Sequence, residues 1–191
     1  DRSWSGIASS ADGTKLAAVV NGGRIYTPYY SIADWLAWES DRSWSGIASS
    51  ADGTKLAAVV NGGQIYTSTD SGATWTARES TRSWRSIASS ADGTKLAAVF
   101  DNGPIYTSTD SGATWTAQAS GSLAWFAIAS SADGTKLAAG VLGGQLYTST
   151  DSGATWTARE SSRSWVSLAS SADGTKLAAA VYSGGQIYTS E

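Results

Sequence analysis

Short apolar runs recur along the whole chain, and each ends at Gly, Asn, Asp or Ser. One such run is KLAAVV at 15–20, which is followed by the turn-forming letters NGG. The runs do not show the three- and four-residue spacing of an amphipathic helix. The pattern therefore predicts short β-strands joined by tight turns, and an all-β fold.

The strand pattern is repeated at a nearly constant spacing. The letters KLAA begin at residues 15, 55, 95, 136 and 176. Each repeat contains four strand-like runs, here called strands a to d, which read SWSGIASS, KLAAVV, QIYTST and TWTARES in the second copy. Four short strands per repeat predict the blades of a β-propeller, with a solenoid as the alternative.

We predict a five-bladed β-propeller in one domain that spans 1–191. The predicted blades are 1–40, 41–80, 81–120, 121–161 and 162–191. The fifth repeat reads only as far as QIYTSE, so blade five is predicted to lack its outer strand d. Backbone groups of residues 186–190 would then be unpaired, which invites a partner, a contact between copies, or simple tolerance of a short edge.

A recurring motif lies between strands c and d. Residues 68–75 read STDSGATW, and the pattern S-x-D-x-G-x-x-W recurs at 108–115 and 149–156. Its Asp suits local N–H capping, its Gly a positive φ, and its Trp packing against the blade. The motif resembles the Asp-box (BNR) repeat of sialidase-like propellers. That resemblance implies a propeller in which the box is a structural turn, here without the sialidase active site.

The repeats are nearly identical, which indicates recent duplication or deliberate construction. Residues 1–23 and 41–63 match letter for letter, and the ab turn ADGT is the same in all five repeats. Most differences fall in the bc and da turns, which we expect at one end of the ring, here called the bc/da end. We therefore predict a diversified binding face there, against the alternative that loops drift freely.

The predicted ligand face at the bc/da end combines Arg side chains with variable bc-turn residues. An Arg recurs at the da junction, and a ring of guanidinium groups could bind carboxylate or sulfate. The alternative is ordinary surface pairing with the Glu that precedes each Arg. The members of the predicted face are Arg2, Arg42, Arg82, Arg85, Arg163, Phe100, Leu142 and Tyr182.

Blade one breaks the box motif at TPYYSIADWLAWES. Tyr30 and Ile32 replace the Asp and Gly of the box, and a β-branched residue disfavours positive φ. Such aromatic and apolar types anchor interfaces, so we predict a protein partner or a homo-oligomer contact here. Internal packing beside blade five is the alternative, and a helical turn after Pro28 is also open. The predicted partner-binding residues are Tyr29, Tyr30, Ile32, Trp35, Leu36, Trp38, Leu123, Trp125 and Phe126.

Composition limits the chemistry that the chain can perform. It contains no Cys and no His, which removes thiol nucleophiles, the commonest general base and the usual zinc ligands. The strand-c Tyr recurs in every repeat and therefore indicates blade packing rather than a catalytic centre, which needs unlike groups at one point. We expect no enzyme activity, no cofactor and no metal site.

The remaining partner classes follow from charge and aromatic content. A net charge of −3 favours neither nucleic acid nor an anionic membrane, and neither is expected as a partner. No apolar run is long enough to span a bilayer, no signal peptide is apparent, and the compartment stays open. A lectin-like function is the alternative to protein binding, because aromatic faces stack on sugars. The recurring strand-a tryptophans are Trp4, Trp44, Trp84, Trp125 and Trp165.

Overall fold

The computed structural model describes residues 2–28, 35–182 and 185–190. Every element assigned within these ranges is a β-strand, and every strand pair between different elements is antiparallel. The all-β prediction is therefore confirmed. The strands are β1 (Trp4–Ser9), β2 (Leu16–Pro28), β3 (Trp35–Ser49), β4 (Leu56–Ser68), β5 (Thr76–Ser89), β6 (Leu96–Gly103), β7 (Tyr106–Ser108), β8 (Thr116–Ala117), β9 (Leu123–Ser130), β10 (Leu137–Val141), β11 (Gly144–Ser149), β12 (Thr157–Arg163), β13 (Trp165–Ser170), β14 (Leu177–Val181) and β15 (Ile187–Thr189).

Some predicted strands are fused into longer ones. The first part of β2 pairs with β1 and its last part pairs with β3, so β2 contains strands b and c of blade one. Gly22 lies between the two parts with a φ of 72°, which glycine adopts without steric cost. In turn, β3 pairs with both β2 and β4 and therefore joins strand d of one blade to strand a of the next.

Blade five differs from the others in its number of strands. Its described residues form a separate sheet of three strands in the order β13, β14, β15. The other blades each add a strand d, which β12 supplies in blade four. The described part of blade five therefore has the three strands that the sequence predicted.

The apolar core lies between successive blades. Between blades one and two, Val19 and Ile25 pack in one cluster with Trp44 and Ile47. The equivalent residues form the clusters between blades two and three and between blades three and four. Each blade thus has a front face, which contacts the following blade, and a back face, which contacts the preceding one.

The two terminal faces lack this cover. On the back face of blade one, Trp4 is 51% exposed and Ile7 is 67% exposed, whereas Trp44 is 0% exposed in blade two. On the front face of blade five, Ile187 is 76% exposed, whereas Ile65 is 0% exposed. Blade five therefore does not cover blade one, and the five blades form an open arc in this structure.

The ab turns connect the blades through their backbones. The Ala11 N–H donates to the Ala51 carbonyl over 2.7 Å, and the same bond repeats from Ala51 to Ala91, from Ala91 to Ala132 and from Ala132 to Ala172. Within each turn an Asp carboxylate accepts from neighbouring Ser and Thr groups, as Asp12 does from Ser10 over 2.6 Å. The identity of the five ADGT turns therefore has a structural cause, because every turn bonds to the turn of a neighbouring blade.

Candidate functional site

The bc and da turns lie together at one end of the arc. Asn21 and Gly23 of the first bc turn pair with Ser43 and Arg42 of the following da junction. The opposite end carries the ab and cd turns, where the Ser71 N–H donates to the Thr54 carbonyl over 2.9 Å. The bc/da end therefore brings together the turns whose sequences vary most.

Two positions at the bc/da end touch each other within blade three. Arg85 follows the strand-a Trp, and its Nε donates to Asp101 Oδ2 of the bc turn over 2.9 Å. A second bond from Arg85 Nη2 reaches the same oxygen. The Arg85 guanidinium also lies 5.7 Å from the ring centroid of Phe126, in the next blade. These contacts define a pair of positions, called the paired positions below, and show that neighbouring pairs contact each other.

The paired positions change in character from blade to blade. The bc-turn member donates the same backbone hydrogen bond in blades one, four and five, for example from the Leu142 N–H to the Ala124 carbonyl over 2.9 Å. Blades one and two hold polar pairs, blade three an ion pair, and blades four and five apolar pairs. In blade order the pairs are Ser5 and Asn21, Ser45 and Asn61, Arg85 and Asp101, Phe126 and Leu142, Val166 and Tyr182.

The serines of the polar pairs attach one blade to the next, whereas the bc-turn members of the apolar pairs are exposed to solvent. Ser5 Oγ donates to the Trp44 carbonyl over 2.7 Å, and Ser45 Oγ donates to the Trp84 carbonyl over 2.8 Å. Leu142 is 42% exposed and Tyr182 is 69% exposed. The bc/da end is therefore polar beside blades one and two and apolar beside blades four and five.

The da-junction arginines contact a tyrosine of their own blade, and two of them also contact a glutamate at the end of the preceding blade. Arg42 lies 4.7 Å from the Tyr66 ring centroid, and its Nη2 is 3.6 Å from Glu39 Oε2. Arg82 repeats both contacts, with Nη2 donating to the Tyr106 hydroxyl over 2.7 Å. Their guanidinium faces are therefore occupied by tyrosine rings rather than arranged as an open anion site. The other two junction arginines, Arg2 and Arg163, lie over Tyr26 and Tyr188.

Two predicted site residues lie in the core instead of on the surface. Trp125 is 0% exposed, and Phe100 is 8% exposed. The Phe100 ring lies 5.1 Å from the Trp84 ring, and Trp125 packs in the cluster between blades three and four. Burial at these places is favourable because it removes the apolar area of both side chains from water. The partner-binding prediction for Trp125 and the ligand-face prediction for Phe100 therefore need correction.

The strand-a tryptophans offer little surface to a sugar. Trp44, Trp84, Trp125 and Trp165 are each 0% exposed. Each packs edge-on against the Tyr of its own strand c, as Trp44 does with Tyr66 at 5.2 Å between ring centroids. Only the strand-a Trp of blade one, Trp4, has an exposed ring among these five described residues. Stacking on a sugar in several equivalent pockets is therefore not supported by this geometry.

The altered stretch of blade one is described only in part. Tyr29, Tyr30 and Ile32 lie outside the described residues, and residues 35–38 are the start of β3 rather than a helical turn. Trp38 Nε1 donates to Thr27 Oγ1 over 2.8 Å. The Trp35 ring lies 6.2 Å from the Trp4 ring.

The other partner-binding candidates are also partly covered. Leu36 is half-buried, and Leu123 packs against the core cluster of blades three and four. The described side chains of the altered stretch and Leu123 therefore pack at least partly within the propeller. Phe126 remains at the surface of the bc/da end, where it contacts Arg85.

The S-x-D-x-G-x-x-W turns are complete hydrogen-bonded units. In blade two, Asp70 Oδ1 accepts from the Thr74 N–H over 2.8 Å, and Trp75 Nε1 donates to the Gly72 carbonyl over 2.9 Å. The hydrogen bond from the Thr74 hydroxyl is the largest cause that lowers the pKa of Asp70. Ser68, Asp70 and Thr74 bond to one another within the turn, so its polar side chains serve its structure.

The described residues contain neither a metal-binding cluster nor a membrane-spanning helix. In 2–28, 35–182 and 185–190, no three or more acidic, His or Cys side chains are grouped so that they could hold a metal ion. The same residues contain no helix that is long and apolar enough to cross a bilayer.

The pairing of Arg85 with Asp101 was missed at the level of sequence. Arg85 is a member of the predicted ligand face, whereas Asp101 belongs to no predicted site. The sequence did contain a signal of this pairing. Blade three has opposite charges at two positions sixteen residues apart, whereas the other blades have Ser and Asn or apolar residues there. Comparison of the two positions across blades would have shown that they vary together.

Comparisons with known proteins agree on the fold. No protein-family model and no curated protein sequence matches the chain. Among solved structures, the GH74 enzyme of Niastella koreensis superposes with a TM-score of 0.76 at 20% identity, over 98% of this chain and 35% of that one. YCF48 bound to D1 peptide superposes with a TM-score of 0.72 at 18% identity, over 100% of this chain and 63% of that one.

A third structure is the Cps50 (Swd1) β-propeller domain of Myceliophteria thermophila. It superposes with a TM-score of 0.72 at 15% identity, over 98% of this chain and 69% of that one. The chain thus spans about a third of the GH74 enzyme and less than two thirds of YCF48. These likenesses show a β-propeller fold, as the sequence predicted, and identities this low show the fold alone.

Proposed function

We propose that the chain is a non-enzymatic binding propeller that holds a protein partner at its bc/da end. The observation that carries this proposal is the change in the paired positions. The places that hold Ser and Asn in blades one and two hold Phe126 with Leu142 in blade four and Val166 with Tyr182 in blade five. A constant frame therefore carries an asymmetric surface.

The physical argument rests on exposure. Blades one and two fold with Ser and Asn at the paired positions. Packing of the blade therefore does not require Leu142 and Tyr182 at these places, where both are exposed. Exposed apolar side chains that lie together are a feature of interaction sites, and large anchors supply most of the binding energy. The adjacent Arg85–Asp101 pair adds polar groups at the border of the apolar area, which suits the rim of an interface.

Two further observations support binding over catalysis. The box motif resembles that of Asp-box propellers, where the box itself is structural. The strand-c tyrosines repeat in every blade and pack on tryptophan, as Tyr147 does on Trp125 at 5.1 Å. One superposed propeller is an enzyme and another was solved with a peptide, so the fold does not decide the question. The near-identity of the repeats also supports a recently amplified or constructed scaffold.

A peptide selection with a matched variant tests this function. In the variant, Phe126→Ser, Leu142→Asn, Val166→Ser and Tyr182→Asn give blades four and five the paired positions of blades one and two. Displayed peptides would be selected on the wild-type chain, and their affinities for both proteins measured by calorimetry. We expect ligands rich in apolar residues that bind the variant at least about tenfold more weakly, because anchor residues have been removed.

Two controls make the result decisive. Selected peptides should shift NMR signals at the bc/da end. The variant should melt within a few degrees of wild type, because Leu142 and Tyr182 are exposed and Phe126 and Val166 are only half-buried. Ligands that bind both proteins equally would contradict the proposal. A glycan array on the same two proteins tests the lectin alternative, and light scattering of a Leu36→Thr, Trp38→Arg variant tests assembly through blade one.

A further inference from the structure

The bc turns of blades one, two and three each contain Asn followed by Gly. In the first two turns the Asn comes directly after the last residue of the LAAVV run, whereas in blade three Asp101 stands between the run and the Asn. Blade three therefore holds the same dipeptide one residue further along the turn. The dipeptides are residues 21–22, 61–62 and 102–103.

The Asn-Gly pairs of blades one and two are open to water. Asn21 and Gly22 are both exposed, and so are Asn61 and Gly62. Both glycines have positive φ, and an added Cβ would meet nothing within 4 Å. Among the described residues, neither Asn side chain has a hydrogen-bond partner. The side-chain amide is therefore free to turn towards the backbone that follows it.

These two pairs also lie where the strand register is interrupted. In blade one the register passes from Asn21 to Gly23, so Gly22 between them is left out. Gly62 is left out of the register of blade two in the same way. The backbone of such a bulge residue is not held in the hydrogen-bonded ladder.

In blade three the shift by one residue reverses this arrangement. Asn102 itself has the left-handed φ, at 58°, and is the residue left out of the register. Gly103 pairs with Leu123 and is buried, and an added Cβ would collide with the Phe100 ring. The backbone nitrogen that follows Asn102 is therefore held within the sheet.

The Asp-Gly pairs of the ab turns are held in place by hydrogen bonds. In blade one the Gly13 N–H donates to the Ser10 carbonyl over 3.0 Å. The Asp12 carboxylate accepts from Ser10 Oγ over 2.6 Å and from the Thr14 N–H over 3.0 Å. The other ab turns repeat these bonds. Side chain and backbone nitrogen are thus both engaged, unlike those of the Asn-Gly pairs in blades one and two.

We infer that Asn21 and Asn61 are sites of spontaneous deamidation. The nitrogen of the following Gly loses its proton to a base in solution and attacks the side-chain amide carbon. A C–N bond forms, the amide nitrogen leaves as ammonia, and a cyclic succinimide results. Water then adds to either carbonyl carbon and opens the ring, which gives Asp or isoaspartate. The net change is the gain of water and the loss of ammonia, without an oxidant or a reductant.

The modification changes the polar part of the bc/da end. Asn21 and Asn61 are the bc-turn members of the paired positions in blades one and two, opposite Ser5 and Ser45. Each event replaces a neutral amide by a carboxylate, so this part of the surface becomes acidic. The isoaspartate product also lengthens the backbone of the turn by one methylene group.

Incubation of the folded chain in mildly alkaline buffer, followed by trypsin digestion and mass spectrometry, tests the inference. Cleavage after Lys and Arg places the three sites in different peptides, which are residues 16–24, 56–78 and 96–136. We expect Asn21 and Asn61 to show the replacement of NH₂ by OH at similar rates. Asn102 should react at least about tenfold more slowly, because its reaction requires local opening of the strand pair.

The same incubation in urea is the control for local sequence. In the unfolded chain all three Asn-Gly pairs should react, and the difference between Asn61 and Asn102 should largely disappear. A ratio of these two rates that is the same in the folded and the unfolded chain would overturn the inference. It would also be overturned if Asn21 and Asn61 stayed intact in the folded chain while they reacted in urea.

Two variants test the role of the register. Gly62→Ala should slow Asn61 alone, because a Cβ crowds the attacking nitrogen, while Asn21 serves as an internal control in the same molecule. Asp101→Asn combined with Asn102→Gly gives blade three the register of blade two, and the new amide should react as fast as Asn61. An amide that stays intact there would overturn the inference. These measurements need no ligand, so their outcome is independent of the binding proposed for the bc/da end.

Discussion

The Arg85 guanidinium donates to the Asp101 carboxylate at the two positions that hold Ser45 and Asn61 in the preceding blade. Both side chains are partly exposed, at 33% and 25%. The ion pair therefore occupies the two positions at which blade two has a neutral pair. It lies between the polar pairs of blades one and two and the apolar pairs of blades four and five.

The first prediction concerns the energy of this ion pair. Arg85→Ser and Asp101→Asn should each lower the free energy of unfolding by about 1 kcal/mol or less, because partly exposed ion pairs contribute little. The double variant recreates the pair of blade two and should recover much of the loss. Urea unfolding of the four proteins in a double-mutant cycle measures the coupling. A coupling of zero would show that the pair contributes nothing to stability.

The second prediction compares two identical residues in different environments. Trp44 is 0% exposed between blades one and two, whereas Trp4 at the same position of blade one is 51% exposed. Trp44→Ala should lower the free energy of unfolding by about 3–5 kcal/mol, since it leaves a cavity in a packed core. Trp4→Ala should cost about 1 kcal/mol, because much of its ring is already in water.

Denaturant titrations of both variants provide the measurement. The comparison is well controlled because residues 1–23 and 41–63 are identical in sequence. Equal losses would mean that the back face of blade one is covered in solution, either by blade five or by another molecule. A concentration-dependent loss for Trp4→Ala alone would indicate contact between copies.

The fold was largely readable from the sequence because the same local signals occur five times. KLAA followed by a glycine turn indicates strands b and c, and the identical ADGT turns indicate where strand a ends and strand b begins. The fusion of strand d with the next strand a was not predicted. It depends on Glu39 and Glu79 with φ of 60° and 33°, a backbone state that Glu rarely adopts and that propensity does not indicate.

The candidate site was harder to predict from the sequence, because aromatic residues occur both in cores and at interfaces. Tryptophan anchors interfaces and fills cores equally well, so Trp125 was predicted at a surface although its ring is buried between blades. The arginines were ambiguous for a similar reason, since Arg42 contacts both a tyrosine ring of its own blade and the Glu39 carboxylate at the end of blade one. Only the three-dimensional arrangement shows which variable positions touch each other.

The third prediction concerns two glycines that both have positive φ. Gly22 has a φ of 72° and nothing within 4 Å of an added Cβ, whereas Gly72 has a φ of 90° and neighbours at 3.1 and 3.3 Å. Gly22→Ala should cost about 1 kcal/mol through backbone strain alone. Gly72→Ala adds a steric clash within a packed interface and should cost about 1–3 kcal/mol more.

Thermal unfolding of the two glycine variants gives the comparison. The melting temperature of Gly72→Ala should fall several degrees further than that of Gly22→Ala. If the two variants melt together, the box turn is not held between the blades as described.

The fourth prediction concerns acid stability. The pKa of Asp52 is lowered to about 2, first by its hydrogen bond from the Ser50 side chain and then by that from the Thr54 backbone. The pKa of Asp92 is lowered to about 2 in the same way by Ser90. Because these pKa values are depressed in the folded chain, the stabilisation is fully present above the ordinary value of 3.8 and is lost as the pH falls towards 2.

The repeats multiply this effect, since other turn aspartates such as Asp110 and Asp151 also have a pKa of about 2. We expect the free energy of unfolding to vary little between about pH 7 and pH 5 and to fall between about pH 4 and pH 2. Asp52→Asn supplies the test, because it removes one titrating group while keeping an acceptor oxygen. Its deficit relative to wild type should be clear at pH 6 and smaller at pH 2, where the wild-type carboxylate becomes protonated. A deficit that stays constant with pH would show that the charge of Asp52 does not stabilise the ab turn.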